Sequence, residues 1–257
     1  MRRRSLALTF AAVLGTAGIA VSCGEVPTLP DGIAYITPVL LPSPAVAVGD
    51  TLRDSLGRLA PLLVRAFGSA SQEITGVSTF FVPSVLPSLV TIDSATGFVV
   101  AHDTAVGSLQ LVGRVGDRLQ TPLATLLVVP QPQSIGRPAG FEAGDTAFAS
   151  AAPKALPVTV TGTFKGASTP VNGIIVRYKI DSLVPATGSA ILLNASGLIM
   201  RPDSTAAVDT TKNAGNATST VVPLPGSGVE KVYVSASARR LDGPLLPAVR
   251  FVLVIKP

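Results

Sequence analysis

Short apolar runs, mostly of four to eight residues, alternate along most of this chain with clusters of Gly, Pro, Asp and Ser. Runs of that length bounded by turn residues predict strands, not helices. In the first half they fall at 34–41, 45–48, 62–67, 77–82, 89–92, 98–101, 108–115 and 123–129. Pro42-Ser43-Pro44, Gly49-Asp50, the segment between Pro83 and Pro87, Gly107 and Gly116-Asp117 break them. In the second half they fall at 157–164, 174–180, 190–193, 205–210, 217–223, 231–238 and 249–255. Helix-like spacing occurs in part of 52–66, where Pro61 interrupts it. Many short strands at this spacing predict an all-β chain.

The amino-terminal stretch departs from this pattern. Met1-Arg2-Arg3-Arg4 is cationic, residues 6–21 are small and apolar, and Ser22 precedes the single cysteine, Cys23. This is the layout of a secretory signal. It is too short and too rich in Gly and Ala for a membrane span, which takes roughly 20 apolar residues. Ala20-Val21-Ser22-Cys23 resembles the lipobox of bacterial lipoproteins, with Ala where Leu is the commoner first residue. The resemblance implies that 1–22 is removed and that Cys23 carries a diacylglyceryl thioether, usually with an amide-linked acyl chain. A lone cysteine in an exported chain has no internal disulfide partner, and thioether attachment removes the stray thiol. Each buried methylene contributes ~0.8 kcal/mol, so two or three chains hold firmly where one binds marginally.

Residues 23–32 then read as the lipidated cysteine and a short extended tether, with Pro27 and Pro30 favouring open backbone. In Gram-negative lipoproteins an Asp directly after the cysteine often signals retention at the inner membrane. Gly24 therefore points to the outer membrane as the expected location. Arg2, Arg3 and Arg4 also distort the charge: the formal +5 falls to +2 without them, which removes the electrostatic argument for nucleic acid. Charged residues are 14% of the chain, against about 25% in ordinary soluble domains. With 24 Gly and 22 Pro the composition stays below that of disordered chains and fits turns between strands. A membrane β-barrel wants aromatic girdles at both interfaces, and this chain has no Trp, three Tyr and nine Phe.

Val46-Ala47-Val48-Gly49-Asp50-Thr51-Leu52, with Leu89-Val90-Thr91-Ile92-Asp93-Ser94-Ala95-Thr96-Gly97-Phe98-Val99-Val100-Ala101, resembles the group 2 bacterial Ig-like domain. Asp93 is suited to start a tight turn and Gly97 to supply its positive-φ position. The Trp usual before this hairpin is missing, and Phe80 and Phe81 are expected to fill its place. Thr169-Pro170-Val171-Asn172-Gly173-Ile174-Ile175-Val176, with Asp209 to Ala217, resembles the invasin-type Ig-like domain more loosely, and 194–207 is longer than usual there. The resemblances imply two tandem Ig-like β-sandwiches, at 33–131 and 141–257, joined by a linker at 132–140 around Pro130-Gln131-Pro132-Gln133. The Gly144-Asp145-Thr146 tripeptide repeats Gly49-Asp50-Thr51.

Catalytic provision is thin. His102 is the only histidine, with Asp103 beside it, and no Gly-x-Ser-x-Gly elbow exists; a triad assembled in space with Asp103, Asp117 or Ser108 is the arrangement that would make it an enzyme. No metal-ligand spacing occurs, although Asp181, Asp203 and Asp209 could share a loop. Gly113-Arg114-Val115-Gly116 opens no helix and so is no phosphate loop. Tyr178 and Tyr233 lie mid-strand and read as core or sheet-surface residues. Arg239, Arg240 and Arg250 read as a solvated edge guarding a sheet, with a rim patch for an acidic partner as the other use.

No catalytic, cofactor or metal residue is therefore assigned, and Cys23 is the one site, for lipidation. The expected function is a non-catalytic, lipid-anchored exported scaffold or binding protein. The rival is an adhesin or carbohydrate-binding module. Expected partners are the membrane, through the anchor, and an envelope protein or polysaccharide, with no cofactor and no nucleic acid.

Overall fold

The computed structural model describes residues 32–116, 118–138, 146–149, 153–193, 205–224 and 226–256. Cys23, the signal and nearly all of the tether lie outside the described residues, as do Asp117, Asp203 and part of 132–140. The described chain is all-β and forms two β-sandwich modules.

In the first module, β1 (Ile33–Ile36), β3 (Ala66–Gly68) and β4 (Glu73–Ile74) form a small antiparallel sheet. A larger sheet runs β2 (Ala45–Ala47), β10 (Ala124–Val129), β8 (Gly107–Val115), β5 (Thr79–Val85), with β9 (Leu119–Gln120) hairpinned onto β8. A separate hairpin pairs β6 (Val90–Ile92) with β7 (Val99–Ala101). Between the layers Leu52, Leu62, Leu109, Leu111 and Leu126 are fully buried with Val99 and Val128. Alternation along β8 and β10 produces this core, because successive side chains point to opposite faces.

Both halves of the first sequence motif meet in space. Asp93 Oδ1 accepts from the Ala95 amide at 3.0 Å, Thr96 Oγ1 donates to Oδ2 at 2.6 Å, and Gly97 closes the turn at φ 78°. The Gly49–Leu52 strip then lies along β7, with the Leu52 amide on the Val99 carbonyl at 2.8 Å and the Ala101 amide on the Asp50 carbonyl at 2.9 Å. Only one of the two expected Trp substitutes is internal. Phe81 is 5% exposed and packs under Gly97, whereas Phe80 is 49% exposed, since neighbours on a strand face opposite ways.

In the second module, β11 (Pro132–Gly136), β13 (Lys154–Phe164), β18 (Asn216–Pro223) and β16 (Ala190–Leu193) form one sheet, with β14 (Ala167–Pro170) paired to β13. Facing it runs β12 (Thr146–Ala149), β20 (Val249–Lys256), β19 (Lys231–Ala238), β15 (Ile175–Val184), β17 (Ala206–Thr210). The alternation of β13, β18 and β19, with that of β15, which supplies Tyr178, fills the space between the sheets with Val, Leu, Ala and that tyrosine.

Three findings differ from the sequence expectations. The segment read as linker carries β11, because Pro132 sits at a strand start and Ile135 buries itself in the second core. The small β4, β9 and β14 leave no mark in the hydrophobic pattern because each is a two- to four-residue return with no apolar run of its own. The repeated Gly-Asp-Thr is not equivalent in register: Thr51 follows β2, whereas Thr146 opens β12. What the modules do share is a second strand laid parallel to the last, β2 on β10 and β12 on β20.

Candidate functional site

The two sandwiches meet end to end. Ala45 and Val129 of the first module belong to the core of the second, with Leu127 packed alongside. Gly173, at φ 80°, lets this happen: a Cβ there would lie 2.9 Å from the Ala45 Cβ. A second contact joins two turns. In the first, the Asp54 carboxylate accepts from the Leu56 and Arg58 amides at 2.9 and 3.0 Å, and these hydrogen bonds, the Arg58 amide foremost, hold its pKa below the ordinary carboxylate value. In the second, Arg240 forks onto Asp242 at 3.0 and 2.9 Å. Burial raises the Asp242 pKa, but the Arg240 pairing together with hydrogen bonds from Gln131 and its own backbone amide outweighs it and leaves the group low. The turns touch glycine to glycine, for a Cβ on Gly57 would stand 2.3 Å from the Gly243 Cα.

Beside that contact opens a cleft of about 250 Å³ with walls from both modules. Ser55 and Leu56 line one side, Ile175, Arg177, Ser237 and Leu245 the other. Arg239 donates to the Gly243 carbonyl at 2.8 Å and Arg240 is paired to Asp242, so both cations are held within their own turn. Arg177, exposed on β15, forms no ion pair among the described residues. The volume is just below the range of about 300–1,000 Å³ typical of small-molecule sites. It suits an inserted side chain or one turn of an extended segment.

Below the cleft a buried hydroxyl ties the second motif together. Thr211, 2% exposed, donates from Oγ1 to the Val171 carbonyl at 2.7 Å and accepts from the Ile174 amide at 2.9 Å. The Asn172 side chain accepts from the Gly215 amide at 2.8 Å, and Asp209 from the Thr218 amide at 2.8 Å. The two separated halves of that motif are thus adjacent. Thr211 itself was not singled out in the sequence, where a Thr-Thr pair after Asp209 carries no signal of burial.

The residues weighed for chemistry do not converge. The His102 ring donates from Nδ1 to the Ser88 carbonyl at 2.8 Å, so Nε2, 2.9 Å from Thr91 Oγ1, is the acceptor. Its two partners are thus Ser88 and Thr91, not Asp103 or Ser108. Asp181 accepts from Ser235 at 3.0 Å and Asp209 from Thr218, at separate points of β15 and β17. Among the described residues no three His, Cys, Asp or Glu side chains gather as a metal site. Gly113 to Val115 are the end of β8. Tyr178 is wholly buried, its hydroxyl has no hydrogen-bond partner among the described residues, and burial pushes the phenol far above its ordinary range. Tyr233 is half-buried on β19. Arg239 and Arg240 do not guard an edge, because they leave β19, an interior strand of its sheet; they brace the junction turn instead.

No protein-family model matches this sequence, and no curated protein does. Among solved structures the chain is similar to domains 1–6 of the surface layer protein SbsC, at 12% identity over 87% of this chain, with a TM-score of 0.31. It spans only 28% of that protein's chain. It is also similar to the D00-D0 domain of intimin, at 14% identity over 84% of this chain and 99% of that one, with a TM-score of 0.27. A tandem pair of titin Ig domains matches at 10% identity over 86% and 97% of the two chains, with a TM-score of 0.26. Likenesses of this size carry nothing about ligand or activity.

Proposed function

We propose that this chain is a non-catalytic, lipid-anchored exported protein whose two Ig-like modules present a binding surface in the cell envelope, on the outer membrane. The observation that carries the reading is the junction. Ala45 and Val129 are built into the second core, so the walls of the cleft, one from each module, are held in one geometry. A preorganised cleft keeps the entropy cost of binding low. The inventory of titratable groups supports a non-catalytic role, since Asp50, Asp54, Asp93 and Asp242 each tie down a turn. Cys23 after Ser22 supplies the anchor.

The alternative is an adhesin or carbohydrate-binding module, for which an exposed aromatic face is needed. Tyr35 and Phe67 do form such a pair, stacked at 5.1 Å. The polar groups beside it are turned on each other, Arg65 on Glu73 at 3.6 Å, which places this reading second.

The test uses cells fed a fatty-acid analogue and expressing the full chain with a photo-crosslinking residue at Ser55. The expected result is analogue label on the wild-type protein, loss of label and of membrane association in Cys23→Ser, and a discrete crosslinked adduct from position 55. Absence of label on the wild type removes the anchor, and absence of any adduct from the cleft removes the binding surface.

A further inference from the structure

The small sheet of the first module has an outer face with no covering element among the described residues. Along β3 and the residues before it, Leu62, Val64 and Ala66 turn inward, while Leu63, Arg65 and Phe67 turn outward. Tyr35 of β1 stacks on Phe67 with ring planes 11° apart, and Leu40 bridges to Leu63. Leu63 in turn shares a depression of about 410 Å³ with Phe80. Tyr35 is 45% and Leu63 50% exposed. A single exposed leucine means little, but a continuous apolar and aromatic strip on one face marks a contact surface.

We infer that this face rests on the bilayer interface beside the acyl anchor; the inference depends on the lipidation of Cys23 proposed above. Three observations select lipid as the occupant. The first is position. Ile33 is ten residues beyond Cys23, so β1 starts no more than ~35 Å of extended chain from the acyl groups.

The second is orientation. The β8 and β10 strands run between the junction, where Gly107 pairs with Val128, and the opposite end, where Val115 packs with Ile33, Ala66 and Leu119. The strip therefore sits at the end of the first module remote from the second, where the tether enters. The third is chemistry. Tyr, Phe and Leu with an arginine are the residue types that settle at headgroup level. Arg65 and Glu73 pair across the strip, so the two charges on it cancel. Among the described residues, the exposed aromatics Tyr35, Phe80 and Phe98 are all in this module. A face this small needs no independent affinity, because the anchor holds it at high effective concentration.

The chain has no Trp, so a single introduced indole reports its own surroundings. The processed full-length protein would be reconstituted into phosphatidylethanolamine/phosphatidylglycerol vesicles containing a lipid brominated on its acyl chain. Tyr35→Trp is expected to emit to the blue and lose most of its emission to the bromolipid. Leu224→Trp, at the far end of the second module, is expected to keep the emission of an exposed indole. Adding Leu63→Glu to Tyr35→Trp should restore most of the lost emission with unchanged circular dichroism. If Cys23 carries acyl label and the indole of Tyr35→Trp is nonetheless unquenched, the inference is overturned while the anchor stands. If that indole escapes lipid but its emission shifts on adding envelope polysaccharide, the face belongs to a glycan. If Cys23 carries no acyl chain, anchor and inference fall together.

Discussion

Replacing Thr211 with valine tests how the second module is held together. The change keeps the shape of the side chain and deletes only the hydroxyl. That hydroxyl accepts from the Ile174 amide at 2.9 Å and donates to the Val171 carbonyl at 2.7 Å, and all three residues are buried. An orphaned buried donor costs about 1–3 kcal/mol, and the carbonyl adds to it, so the expected loss is about 2–4 kcal/mol. A module running from Pro132 to Lys256 gains about 0.25 kcal/mol per kelvin of unfolding entropy, so its melting temperature should fall by roughly 8–16 °C. Were the two modules to melt as one unit, the shift would be about half as large. Thr211→Ser is the control: it keeps both hydrogen bonds and loses one methyl, about 0.8 kcal/mol. Calorimetry of the full processed chain reads both variants. If valine and serine shift the transition equally, the hydroxyl does not clamp the Val171–Ile174 segment, and the account of the motif is wrong.

Gly57→Ala should loosen the junction without unfolding either module, since it adds ~1–2 kcal/mol of left-handed backbone strain at φ 84° and drives a Cβ into Gly243; small-angle scattering should show a larger radius of gyration with unchanged circular dichroism. Asp93 lies below its ordinary pKa of 3.8, chiefly through the Thr96 hydroxyl and then the Ala95 and Thr96 amides. A depressed carboxyl stabilises fully above the unfolded pKa of about 4, and that contribution disappears as pH falls through the folded value. Asp93→Asn should therefore be less stable than wild type at neutral pH and lose less on acidification below about pH 4; parallel melting curves for the two would show the turn to be indifferent to charge.

Strands with an apolar run of their own were legible in the sequence. The runs at 190–193 and 231–238 coincide with β16 and β19, and the Asp93–Gly97 hairpin forms as its residues require. Register and partner were not legible. Nothing in Leu62-Leu63-Val64 says which leucine faces solvent until β1 and β8 are in place. Pro132–Gly136 looked like linker because Pro, Gln and Ser dominate it, yet one buried Ile135 and a partner strand suffice to make it β11. The cleft was invisible for a similar reason. Its walls come from residues more than a hundred positions apart, and Asp54 to Arg58 and Arg240 to Gly243 each read only as an isolated polar turn. In the structure three glycines mark it: Gly57, Gly173 and Gly243 all adopt positive φ and all stand at the junction.

The two turns at that junction are built alike, and the likeness bears on how the molecule is oriented. Arg53 donates to the Gly57 carbonyl at 3.1 Å, and Arg239 donates to the Gly243 carbonyl at 2.8 Å, in each case four residues ahead. Each turn is thus rigid before it meets the other, and the meeting of bare glycines leaves little freedom in the approach. With Ala45 and Val129 buried in the second core, the pair of modules behaves as one lever. The nine residues of β8 at about 3.3 Å each place the junction end of the first module ~30 Å from the Val115 end. If that far end rests on the bilayer, the cleft is held beyond the headgroup layer at a height set by the fold and not by the tether. The apolar strip and the anchor would then fix where the molecule stands, and Ser55, Leu56, Arg177 and Leu245 would fix what it holds.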